Sequence, residues 1–275
     1  MIENAEISLQ QGIAAHDLSA GYGSVSAIRD IQLRIEEGRM TALLGPNGSG
    51  KSTLLSALAR LLPARAGTVV LDGHDIAQLQ PRQMARKLGL LPQQPPVPEG
   101  ITVFDLVARG RFPHQGFLRH WSNQDESAVT EAITLTGIAD LAERPVETLS
   151  GGQRQRVWIA MVLAQETPLL LLDEPTTFLD VAHQVAILDL LRNLVRHHRR
   201  TVVCVLHDLN MALQYADRLV FLKEGVVRHV LSAATDCTDE IVRDVFDLQA
   251  VTMLHPQTGL PVFLPYAPTL PGDAA

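Results

Sequence analysis

The stretch that most narrows what this chain can become is Gly45-Pro46-Asn47-Gly48-Ser49-Gly50-Lys51-Ser52. It follows an apolar run of strand length, Met40 to Leu44, and leads into Leu54, Leu55, Leu58, Leu61 and Leu62, which recur with a helical period until Pro63. A loop of the form G-x-x-x-x-G-K-[ST] between a strand and a helix turns successive backbone N–H groups inward, and the start of the helix adds positive character. The segment is therefore built to cradle phosphate. Lys51 supplies a full charge for terminal phosphates, Ser52 is placed to ligate Mg²⁺, and Gly45 through Thr53 form the candidate nucleotide loop. An ordinary glycine turn does not require a lysine and a hydroxyl in that register.

Further apolar runs of strand length lie at Thr68 to Leu71, Leu88 to Leu91, Leu169 to Leu172, Val202 to Leu206 and Leu219 to Leu222. Several are continuous instead of alternating, as expected of central strands covered on both faces. With a helical pattern at Val185 to Val195, they predict an α/β fold, a mostly parallel sheet with crossover helices. Strand patterns vanish between Gln93 and Gln165. Pro95, Pro96, Pro98 and Gly100 break the opening of this region, and amphipathic runs follow at Val103 to Arg109 and Glu126 to Leu135. It reads as a helical subdomain, 93–165, inserted into one domain spanning 1–275. From Asp239 the pattern predicts one more helix and then two extended runs around Pro256-Gln257-Thr258-Gly259, a hairpin extension over 239–275.

The run Leu169 to Leu172 ends in Asp173-Glu174. Acids at the C-terminal end of such a strand open into the crevice where α/β proteins bind ligands. Asp173 is placed to hold Mg²⁺ or its water, and Glu174 to polarise an attacking water. An acid pair capping the turn before Pro175 is the alternative. A second glycine loop, Ser150-Gly151-Gly152-Gln153, also offers N–H groups and a hydroxyl to an anion at a helix start, but has neither a lysine nor a magnesium ligand. It could grip the γ-phosphate of a nucleotide held elsewhere; a plain helix cap by Ser150 is the other reading.

A formal charge of −7 argues against nucleic acid as the main partner, and the longest basic run, Arg196-His197-His198-Arg199-Arg200, reads as a solvated helix end. Two cysteines, Cys204 and Cys237, leave no disulfide framework or cysteine metal site to build. MIENAEISLQQ lacks the basic start and apolar centre of a secretory signal, and no stretch approaches the ~20 apolar residues of a spanning helix. Any dealings with a membrane are expected to pass through a partner.

Leu149-Ser150-Gly151-Gly152-Gln153, set between the phosphate loop and the acid-tipped strand, completes a motif order that resembles the nucleotide-binding subunits of ATP-binding cassette transporters over essentially the whole chain. The resemblance implies a P-loop core with an N-terminal antiparallel β subdomain and an inserted α-helical subdomain, and ATP and Mg²⁺ as cofactors. It matches Gln93 to the glutamine that links the magnesium site to the helical lobe, Asp180 to the aspartate loop, and His207 to the switch histidine at the γ-phosphate. Tyr22 matches the aromatic that stacks on adenine, with turn packing as its other reading. His183, His197 and His198 have no such match and read as surface. The resemblance further implies a homodimer in the ATP-bound state, with Ser150–Gln153 of one copy facing the Gly45–Ser52 loop of the other.

Leu106 to Gln115, Trp158 to Thr167, Asp180 to Gln184 and Leu206 to Asn210 resemble the ATPases of bacterial iron-siderophore importers, with haem and cobalamin importers as related branches. That resemblance implies a peripheral subunit at the cytoplasmic face of the inner membrane. It would dock beneath integral-membrane permease subunits and be served indirectly by a periplasmic or surface substrate-binding protein. Two other readings stay open. One is a soluble cassette ATPase acting on DNA or ribosomes, which the acidity and the lack of long coiled coils or a second cassette disfavour. The other is a P-loop kinase in which LSGGQ is accidental.

Overall fold

The structure is a computed structural model that describes residues 12–93, 95–96, 99–116 and 121–266. β1 (Ile13–Tyr22) and β2 (Val25–Arg34) form a hairpin, and β3 (Met40–Leu44) runs into α1 (Lys51–Leu58). β4 (Ala66–Leu71), the two-residue β5 (His74–Asp75), α2 (Pro81–Ala85) and β6 (Leu88–Leu91) follow. Next come α3 (Val103–Ala108), α4 (Asn123–Leu135) and α5 (Gly151–Ala164), with no strand between them among the described residues. The chain then alternates: β7 (Leu169–Leu172), α6 (Val181–His198), β8 (Thr201–Val205), α7 (Leu209–Tyr215) and β9 (Arg218–Lys223). It turns back as β10 (Val226–Leu231) and closes with α8 (Asp239–Phe246) and the antiparallel pair β11 (Gln249–Leu254) and β12 (Pro261–Tyr266).

The strands with uninterrupted apolar sequence form the middle of a six-stranded sheet in the order β10-β9-β3-β8-β7-β6. It is parallel from β9 to β6, and β10 is an antiparallel edge. β3, β7 and β8 are buried at every residue, as strands covered on both faces must be. Side-chain alternation sorts them between two cores. Met40, Ala42 and Leu44 of β3, Leu170 and Leu172 of β7, and Val202 and Cys204 of β8 face the side covered by α3 to α8. Leu43, Leu169, Leu171, Val203 and Val205 face α1 and a second, antiparallel sheet in the order β2-β1-β4-β5.

Helix ends follow local chemistry. The apolar period predicts a helix reaching Leu62, but α1 stops at Leu58. Arg60 is in the left-handed region (φ 56), and its guanidinium donates to the carbonyls of Ile76 and Leu79 at 2.6 and 2.5 Å. α6 buries the stripe Ile187, Leu188, Leu191, Leu194 and Val195, and Asp180 caps it by accepting from the His183 N–H.

A buried ion cluster ties the helical region together. Arg111, its side chain 1% exposed, donates to Asp125 Oδ1 at 3.0 Å, to Glu166 Oε2 at 2.6 Å and to the Ala164 carbonyl at 2.7 Å. Asp125 also accepts from the Ser122 hydroxyl and N–H at the start of α4. Burial pushes the Asp125 pKa up, but hydrogen bonds from Ser122 and Arg111 outweigh it and hold it below the usual carboxylate value. Asp125→Ala leaves the buried guanidinium with Glu166 as its carboxylate partner, and urea unfolding should register a loss of about 1.5–3 kcal/mol. A lowered pKa contributes stability above the unfolded-state value, and that contribution is lost as pH falls through the folded-state value. The advantage of the wild-type chain over the variant should therefore shrink on acidification.

Candidate functional site

The loop after β3 needs glycine at two points for steric reasons. A Cβ on Gly45 (φ 143) would lie 2.0 Å from the Leu222 carbonyl oxygen of β9, and one on Gly50 (φ 100) 2.6 Å from Ile28 Cγ2 of β2. Pressed between these strands, the loop enters α1 with no side chain capping the first-turn N–H groups, which leaves them to an anion. Lys51 is buried, its ammonium donating to the carbonyls of Gly45 at 2.8 Å and Pro46 at 2.9 Å. Burial lowers its pKa, against the charges of Glu174 and Asp173. The Ser49 hydroxyl is buried without a partner among the described residues. An ammonium bonded to neutral carbonyls beside an orphaned hydroxyl fits an incoming phosphate.

β7 delivers the acids. Asp173 Oδ1 accepts from the Ser52 hydroxyl at 2.9 Å, which joins the start of α1 to the end of β7. Burial, with the Glu174 charge behind it, raises the Asp173 pKa against that hydrogen bond. Glu174 takes a left-handed backbone (φ 52) and is caged. Its Oε2 accepts from Gln93 Nε2 at 2.6 Å and from Thr177 Oγ1 at 2.9 Å, and its Oε1 lies 2.7 Å from His207 Nε2. Burial pushes this carboxyl up, but the bonds from His207, Thr177 and Gln93 outweigh it and hold its pKa below the ordinary value. Ala27, Asn47, Gly48, Gly50, Lys51, Ser52, Thr53 and Glu174 line an open cleft of about 250 Å³.

The residues singled out from sequence thus fall into two groups. Ser52, Asp173, Glu174, Gln93 and His207 converge at the phosphate loop. Among the described residues, Ser150, Gly151, Gly152, Gln153 and Asp180 make no side-chain hydrogen bond or ion pair to that group; Ser150, Gln153 and Asp180 bond within their own segments instead. Ser150 caps α5, accepting from the Gln153 N–H at 3.3 Å, while Gln153 Oε1 accepts from the Ser150 N–H at 3.1 Å. Asp180 accepts from the His183 N–H at 2.9 Å and lies 2.7 Å from His183 Nδ1, bonds that hold its pKa low. His183, read from sequence as plain surface, pairs with Asp180 and packs against Gly152. Tyr22 stands 59% exposed at the tip of the β1–β2 hairpin, outside the cleft lining. Sequence reasoning passed over Thr177 and Ala27. A hydroxyl one turn beyond Glu174 was a usable signal for Thr177, whereas Ala27 reaches the cleft only through strand pairing.

Residues 28–177 match the family model described as ABC transporter. The chain belongs to the ABC transporter family. The achromobactin transport ATP-binding protein CbrD of Dickeya dadantii (strain 3937) is 46% identical over 96% of this chain and 98% of its own length. The ferric enterobactin transport ATP-binding protein FepC of Escherichia coli (strain K12) is 45% identical over 95% of this chain and 97% of its own. Among solved structures, a metal-chelate type ABC transporter in an inward-facing conformation superposes with a TM-score of 0.81 at 27% identity, covering 94% of this chain and 98% of that one. The dimeric bacterial ABC transporter cassette MJ0796 gives 0.71 at 29% identity, covering 80% and 98%. The fold is that of an ABC cassette, and ATP hydrolysis in this family is coupled to transport.

His207 contributes the leading downward effect on the Glu174 pKa, and burial opposes it. His207→Ala should therefore move that carboxyl's titration upward, a shift that carbon NMR of labelled glutamate side chains would follow directly.

Proposed function

We propose that the chain is the ATP-hydrolysing subunit of a ferric-siderophore importer, working as a homodimer at the cytoplasmic face of a bacterial inner membrane. The observation that carries the reading is the caging of Glu174 at the mouth of the loop that holds Lys51. The loop N–H groups and Lys51 take the β- and γ-phosphates of ATP, the ammonium exchanging the carbonyls of Gly45 and Pro46 for phosphate oxygens. Ser52, Asp173 and Gln93 are the residues that would hold Mg²⁺, which when bound neutralises and aligns the phosphates. The described residues contain no cluster of three or more His, Cys, Asp or Glu side chains able to hold a metal ion. A Mg²⁺ site completed by a hydroxyl, water and phosphate oxygens needs no such cluster. Glu174, kept ionised and oriented by its donors, accepts the proton of the attacking water. His207, on the other carboxylate oxygen, is placed to turn toward the γ-phosphate.

That Ser150 and Gln153 bond each other, with no side-chain bond to their own chain's phosphate loop among the described residues, supports a site completed by a second copy, whose γ-phosphate meets the N-terminus of α5. That a similar solved cassette is dimeric supports the same arrangement. Cargo rests on the relatives, whose names specify achromobactin and ferric enterobactin. No helix among the described residues is long and apolar enough to cross a membrane. A permease partner is supported by an open concavity of about 570 Å³ beside α3, where Phe112 and Trp121 are 63% and 42% exposed. A substrate-binding protein would hand the chelate to that permease from the far side.

Glu174→Gln should keep ATP binding, lower turnover by about 10²- to 10⁴-fold and leave an ATP-stabilised dimer in gel filtration; undiminished hydrolysis would remove Glu174 from its role. In mixed dimers, Ser150→Arg in one protomer should silence the nucleotide loop of the other, read by photolabelling each site. Loss confined to its own loop would overturn the two-copy site. Deletion of the gene should abolish growth on a ferric siderophore while growth on unchelated iron continues.

A further inference from the structure

Gly152, in the first turn of α5, has no room for a side chain on the side that faces its own chain. A Cβ built there would lie 2.4 Å from His183 Cδ2 and 3.0 Å from Nε2, whereas one on Gly151 meets nothing nearer than Leu179 Cδ2 at 4.0 Å. Both neighbours belong to the segment around Asp180 that enters α6. The His183 ring is itself fixed, because Asp180 Oδ1 accepts from its backbone N–H at 2.9 Å and lies 2.7 Å from its Nδ1. Gly152 has a helical backbone that any L-residue adopts, and alanine is the better helix former. The imidazole, not the backbone, is what an alanine methyl would have to displace here.

We infer that His183 is a positioning residue for hydrolysis: its ring, tied to Asp180, is the seat on which the Ser150–Gln153 turn rests. This deepens the two-copy reading above and rests on it. The turn is held internally by the reciprocal bonds between Ser150 and Gln153. Its offset from Asp180 is set by packing on His183 and Leu179. The Ser150–Gln153 turn is assigned to the partner's nucleotide, and a fixed offset from the Asp180 segment holds that turn in one position as the two copies dock. Misplacement of such groups on the order of 1 Å can cost about 10²-fold in rate.

A suppression experiment tests the seat. ATP turnover is measured for the wild-type chain, Gly152→Ala, His183→Ala and the double variant. Binding of a non-hydrolysable ATP analogue to the isolated protomer and the melting temperature serve as controls. Gly152→Ala should lower kcat by about tenfold and His183→Ala by about threefold, with analogue affinity within about twofold of wild type. The double variant should climb back to the His183→Ala rate, because removing the ring makes room for the new methyl. A double variant as slow as Gly152→Ala, or slower, with intact melting overturns the inference, and so do two single variants at the wild-type rate. Should Gly152→Ala fail to fold, the double variant against His183→Ala still decides: equal rates support the seat and a tenfold deficit sinks it. Failure of the two-copy reading is distinguishable, because the Ser150→Arg mixed dimer would then damage its own loop while the suppression persists.

Discussion

One hydrogen bond, from the Ser52 hydroxyl to Asp173, ties the helix after β3 to the end of β7, with β8 lying between the two strands. The sheet makes it possible. Parallel strands end at the same edge, so the loops that follow β3, β7 and β8 all open toward one crevice. The phosphate loop, the acid pair and His207 come from those three loops in turn. Without that edge the motifs would be scattered along the chain; with it Ser52 meets Asp173 and His207 meets Glu174.

Adjacent acids at this edge are driven in opposite directions. Asp173 has a single hydroxyl donor against its burial and its pKa rises, whereas Glu174 has three donors and its pKa falls. The difference lies in the deeper burial of Asp173 and in the hydrogen bonds each carboxylate receives, not in residue type. Environments that separate two neighbouring carboxyls are a common way to give them different tasks. Here the split suits one acid that shares a cation with Ser52 and one that stays charged and fixed in direction.

The parts of this architecture that were legible in sequence are those whose physics is local or unbroken. The phosphate loop is contiguous, and β3, β7 and β8 announce themselves by continuous apolar residues. β1 and β2 were not legible from their own residues. Register shifts interrupt their pairing, and Asp17 (φ 50) and Asp30 (φ 48) break the alternation that a strand signal needs. The end of α1 is not visible in a local apolar period, because Arg60, just beyond it, bonds to the carbonyls of Ile76 and Leu79. In the site, the acid-tipped strand points to Glu174 and the family resemblance to Gln93 and His207, but their meeting on one carboxylate depends on β6, β7 and β8 lying side by side. The contact of His183 with Gly152 had no signal at all, since neither spacing nor composition tells which helix faces will touch.

Lys51 bears on selectivity in a way that needs no second protomer. Its ammonium already has two backbone partners, so an arriving molecule must outcompete the protein's own carbonyls. Only formal negative charge improves on two neutral oxygens at that distance. A nucleoside stripped of its phosphates leaves those contacts in place and gains nothing from the ammonium, so the loop's own carbonyls set a threshold that only a charged group crosses.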